Sequence, residues 1–95
     1  MPDAVNLIVP ADERFRGLGP ELSGKYVVAA GGTEADAGSV VDAAQAAAAT
    51  VMAGSNGADG VEWDFRAPAG AVEVTVRCHG KSSVVTQALP ASPSP

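Results

Sequence analysis

Few side chains in this 95-residue chain could do chemistry. The one cysteine and the one histidine are neighbours, Cys78 and His79. A thiol beside an imidazole can act as nucleophile and base, or as two ligands of a metal. Adjacent residues of a strand point to opposite faces, however, which makes a poor chelate. The pair therefore reads as a strand end entering a turn. Glu62, Asp64 and Glu73 could supply paired carboxylates for acid–base work. They alternate with apolar residues and are balanced by Arg66 and Arg77, which predicts a solvated sheet face crossed by ion pairs. A third cluster, Asp12, Glu13, Arg14 and Arg16, stands where a helical pattern begins. It is either a solvated helix end or a contact for a partner protein, since charged rims steer encounters. Gly31-Gly32-Thr33 and Gly54-Ser55-Asn56-Gly57 lack the GxxxxGK[ST] and strand-linked GxGxxG spacings that cradle phosphate, and read as punctuation.

The elements that must carry these residues follow from hydrophobic period. VNLIV, 5–9, has Val5, Leu7 and Val9 on one face of a strand, closed by Pro10. From Asp12, a possible N-cap, Phe15, Leu18, Leu22, Tyr26 and Ala29 recur at helical steps. Gly17, Gly19, Pro20 and Gly24 disfavour a helix interior, where a proline costs about 3 kcal/mol. The segment is expected to be one bent element over 12–30; the alternative is a turn followed by a helix starting near Pro20. Gly31-Gly32 should stop it. Thr33 then caps a second helix, with Glu34 and Asp36 favourable to its dipole. Val40, Val41, Ala44, Ala47, Ala48, Val51 and Met52 follow helical spacing up to Gly54. SNGADG, 55–60, is turn chemistry. VEWDFR, 61–66, and VEVTVR, 72–77, alternate cleanly around the link APAGA, which predicts a hairpin. A weaker strand is expected in SSVVTQAL, and PASPSP is expected to be a disordered tail over 90–95. The order β-α-α-β-β-(β) predicts a single α+β domain over 1–89. Its architecture is a two-layer sandwich, a mostly antiparallel sheet of three to four strands with both helices on one face.

Composition narrows the function classes. The net charge of −5 disfavours nucleic acid, whose binding draws on Lys and Arg, and equally an anionic membrane surface. A single thiol leaves no internal disulfide framework and no all-Cys zinc site. No apolar run approaches the roughly 18–20 residues of a membrane span. The opening MPDAVNLIVPADERF lacks the basic start and long apolar middle of a signal peptide. A cytoplasmic bacterial protein is the expectation.

The second helix is unusually bare: from Val40 to Met52 its polar side chains are Asp42, Gln45 and Thr50. With VPADERF near the start, GSVVDAAQAAA in the long helix and VEVTVRCHG after a hairpin, the layout over residues 5–80 resembles the anti-sigma-factor serine kinases. Their ATP-binding fold is shared with histidine kinases, DNA gyrase B, Hsp90 and MutL. In those kinases a long-helix Glu activates the acceptor, an Asn four residues on binds magnesium, and the Asp of D-x-G reads adenine. The resemblance puts Ala43, Ala47 and Cys78 at these three positions and keeps only Gly80. Alanine cannot coordinate magnesium, and a thiol poorly replaces a carboxylate that accepts from adenine.

The resemblance thus implies a C-terminally shortened, non-catalytic relative with no cofactor, whose remaining capacity is protein binding. The partner it implies is a sigma factor or an anti-sigma antagonist, met through Glu13, Arg14 and Arg16. Glu13 matches an acidic contact position; the usual arginine after the aromatic is Gly17 here. Two other functions are open. One is an ATP-binding serine kinase that uses Asp42 and Asp36. The other is an unrelated small α+β protein whose sheet edge or alanine-rich helix forms a homodimer.

Overall fold

The computed structural model of the protein describes residues 4–15, 17–54, 60–68 and 70–89. Strand β1, Val5–Pro10, leads through a 3-10 turn, Glu13–Phe15, into helix α1, Leu18–Ala29, and helix α2, Glu34–Met52. Strands β2, Gly60–Arg66, β3, Ala71–Cys78, and β4, Lys81–Ala88, follow. The four strands form one antiparallel sheet in the order β1-β2-β3-β4. Both helices cover one face, α2 across β3 and β4 and α1 against β2, and the helices pack on each other. This is the expected α+β two-layer architecture. The expected tail at 90–95 and most of the 55–60 turn lie outside the described residues.

Alternation in the strands sets the layers. Val61, Trp63 and Phe65 of β2 and Val72, Val74, Val76 and Cys78 of β3 are buried beneath the helices. The residues between them form the open face. Trp63 and Phe65 stack with ring centroids 6.3 Å apart, and Tyr26 of α1 tilts onto Phe65 at 5.6 Å. These are the largest side chains of the core, and buried valines from both layers fill the space around them.

Between Asp12 and Ala30 there are two elements rather than one bent one. Asp12 caps a separate 3-10 turn, in which its carboxylate accepts from the Arg14 N–H and its carbonyl accepts from the Phe15 N–H. The α-helix then restarts behind Gly17, and its first bond runs from the Glu21 N–H to the Gly17 carbonyl. Pro20 falls in the first turn, where a backbone N–H would have no helical acceptor, so its missing donor is harmless. The buried face is also rotated from the expected one. It is formed by Gly19, Pro20, Ser23, Gly24, Tyr26 and Val27, while Leu18 and Ala29 are exposed. The small residues win these positions because the chain runs close to its neighbours. A Cβ on Gly19 would lie 2.0 Å from the Trp63 indole, and one on Gly24 would lie 2.8 Å from Val41. The helix ends as a Schellman motif, with the Gly32 N–H donating to Val27 and the Gly31 N–H donating to Val28.

Helix α2 begins as the sequence indicates. Thr33 and Asp36 form a reciprocal capping box. Val40, Ala44, Ala47, Ala48 and Val51 are buried, with Val41 and Met52 half-buried on the flank. The weak fourth strand is a full one. His79 (φ 55) and Gly80 (φ 77) make a two-residue turn with both residues left-handed, which folds β4 back onto β3.

Candidate protein-binding site

Asp12 and Arg14 of the charged cluster lie at the 3-10 turn that precedes α1. The Arg14 guanidinium grips Asp12 with two hydrogen bonds, of 3.2 and 3.0 Å, and lies 5.5 Å from the centre of the Phe15 ring. That grip, reinforced by the Arg14 backbone N–H, holds the Asp12 carboxyl below its ordinary range. The Arg14 side chain remains 78% exposed, so much of its guanidinium faces solvent. Glu13 lies in the same turn. Arg16 and the Glu13 side chain lie outside what the structure describes.

Beside this turn a cleft of about 680 Å³ opens between Gly17 and the C-terminal half of α2. Gln45, Ala48, Ala49, Met52 and Ala53 line it, with Gly54 at the helix end. Among the described lining residues Gln45 has the one polar side chain, and the wall as a whole is of mixed polarity and open to solvent. These lining residues were legible only as helix packing. Gln45, Ala49 and Met52 fall at helical steps on one flank, but nothing in the sequence shows that this flank meets a glycine rather than a bulky side chain.

The three positions that the resemblance assigns to a nucleotide site do not come together: Cys78 and Gly80 line a pocket of about 310 Å³ at the β3–β4 turn, which neither Ala43 nor Ala47 lines. Ala43 is exposed on α2, whereas Ala47 and Cys78 both belong to the continuous buried core. Gly80 serves the β3–β4 turn through its positive φ. The two carboxylates weighed for an atypical kinase are separate in role: Asp36 is engaged in the capping box and accepts from Gln87, while Asp42 is exposed. Cys78 and His79 are separated as strand and turn residues, Cys78 buried and His79 exposed. Among the described residues, no group of three or more metal-ligating side chains gathers.

On the open face, strand register assembles the acidic residues around one arginine. Arg77 lies opposite Glu62, salt-bridges it at 3.5 Å, and pairs with Asp64 on the diagonal. Asn6 of β1 donates to Glu62 at 2.8 Å and to Asp64 at 2.7 Å. The Asn6 amide first, and Arg77 second, lower the Asp64 pKa; Asp64 in turn raises that of Arg77. Each carboxylate oxygen of Glu62 and Asp64 faces Asn6 or Arg77, which is the ion-paired face that the alternation predicts. Glu73 sits opposite Arg66 in register.

No protein-family model, curated protein or solved structure matches this chain. No described helix is long and apolar enough to cross a membrane.

Proposed function

We propose that the protein is a non-catalytic, cytoplasmic regulatory module that binds another protein, an offshoot of the anti-sigma kinases that has lost its nucleotide site. The observation that carries this reading is an exposed Arg14, bonded to Asp12, in the turn that leads to Gly17 at the rim of the cleft. An exposed charge near a cleft suits an anchor residue flanked by an acidic group on the partner. The burial of Ala47 and Cys78 supports the loss of the nucleotide site, because these positions now fill a packed interior. The partner class, a sigma factor or an anti-sigma antagonist, comes from the sequence resemblance.

The test measures binding of the full chain to the purified sigma factors and anti-sigma antagonists of the organism that encodes it. One of them should bind saturably. Arg14→Ala and Ala49→Glu, both at exposed positions, should each weaken that binding by about tenfold or more. Failure of every candidate to bind, or binding indifferent to both variants, refutes this assignment of the surface.

A further inference from the structure

The outer edge of β4 carries a second surface, independent of the reading above. The phase of the β3–β4 ladder follows from its two-residue turn, which makes the closing pair Cys78–Lys81 a hydrogen-bonded one. Hydrogen-bonded pairs then alternate along the strands as Val76–Ser83, Val74–Val85 and Val72–Gln87. The Leu89 N–H donates to the Gly70 carbonyl at 2.9 Å, which continues the same phase. The N–H and C=O groups of Ser82, Val84, Thr86 and Ala88 therefore point away from β3, out of the sheet edge. The side chains of the same four residues are exposed, and Val84 is 59% exposed despite being apolar.

From Ser82 to Ala88 this edge has no charge and no proline, the usual devices that block strand addition. The opposite edge, β1, ends in Pro10, which has no N–H to offer. The strand also matches itself. In an antiparallel pair of β4 strands about a two-fold axis at Val85, Ser82 faces Ala88 of the other copy and Val84 faces Thr86. Each outward N–H then meets an outward C=O, and Val84 lies diagonal to its own counterpart. Shifting the register by one residue would put the two helix layers on opposite faces. Lys81, the one charge in the strand, donates to the Ala53 carbonyl at the end of α2 and falls opposite Leu89, so like charges do not meet.

The helix layer permits this pairing. Because α2 packs on both β3 and β4, two symmetry-related α2 helices would lie about 10 Å apart, roughly twice the strand spacing and an ordinary helix-packing distance. Asp36, bonded to Gln87, marks the flank of α2 that looks over β4. Helical steps place Ser39, Ala43, Ala46 and Thr50 along that flank, and all four are exposed. Bulky side chains there would hold the helices apart, and these small ones do not. The bareness of α2 thus has a second consequence besides the missing nucleotide ligands.

We propose that β4 is a self-association edge, at which two copies of the chain pair antiparallel and join their four-stranded sheets into one. The test is sedimentation velocity from micromolar to millimolar concentration, with amide hydrogen exchange at both ends of the range. The wild type should dimerise, and the Val84 and Thr86 amides should become protected in the dimer. Val84→Lys, at an exposed position, should raise the dimer dissociation constant by about tenfold or more without loss of fold by circular dichroism, because edge lysines block strand addition. Val84→Thr should leave dimerisation within a few-fold of wild type. A chain that stays monomeric with those amides exchanging freely overturns the proposal. So does a dimer that tolerates Val84→Lys.

Discussion

Asn6 shows how much of this molecule is settled by single side chains. It bridges two carboxylates that would otherwise repel across the open face, and it is the leading cause of the lowered Asp64 pKa. A carboxylate with a folded pKa below its unfolded value adds stability above the unfolded value. That contribution is lost as pH falls through the lowered folded value. Asn6→Ala should therefore raise the Asp64 midpoint toward the ordinary range of about 3.9, with Arg77 still holding part of the shift. Carbon-13 carboxyl titration by NMR reads this directly, and an unmoved midpoint would show that Arg77 alone sets the Asp64 pKa. The stability difference between variant and wild type that arises from Asp64 should be present near neutrality and vanish in acid. The alternation of VEWDFR and VEVTVR made the charged face legible, including its ion pairing. It did not make Asn6 legible, because its role depends on β1 lying beside β2, a pairing set by packing across 56 residues of chain.

Helices and strands were legible to different degrees, for physical reasons. Helix α2 and the β2–β3 hairpin have strong local signals, a capping box and strict period-two alternation, and both formed where those signals lie. Helix α1 was blurred because the residues that decide it are small. A periodicity search weights Phe15, Leu18 and Leu22, whereas the contact with β2 is made by Gly19, whose bare backbone admits the Trp63 ring. That close approach yields a direct prediction. Gly19→Ala gains helix propensity, worth at most about 1 kcal/mol. It also drives a Cβ to within 2.0 Å of the indole, and neither the backbone nor the 2% exposed Trp63 can yield freely. Overpacking of this kind costs about 1–3 kcal/mol, so the clash should win. Urea unfolding followed by Trp63 fluorescence should show a lower midpoint for the variant. A midpoint equal to or above wild type would mean that α1 shifts off β2 at little cost.

For the whole molecule, two helices on one face of a four-stranded sheet set which positions are packed and which are open. The α+β layering was legible from element order and polarity. The cleft near Gly17 was not, because it depends on how α1 restarts after the 3-10 turn. The resemblance to anti-sigma kinases points to Ala43, Ala47 and Cys78 as the positions where nucleotide chemistry would reside. In the folded chain Ala47 and Cys78 fill the interior and Ala43 faces solvent. We propose that two of these three positions now serve packing and that the surfaces of the chain bind proteins. Isothermal titration of the full chain with ATP and magnesium tests this most directly. The account predicts no saturable heat across the range from micromolar to low millimolar nucleotide. A saturable isotherm with a micromolar dissociation constant would contradict it.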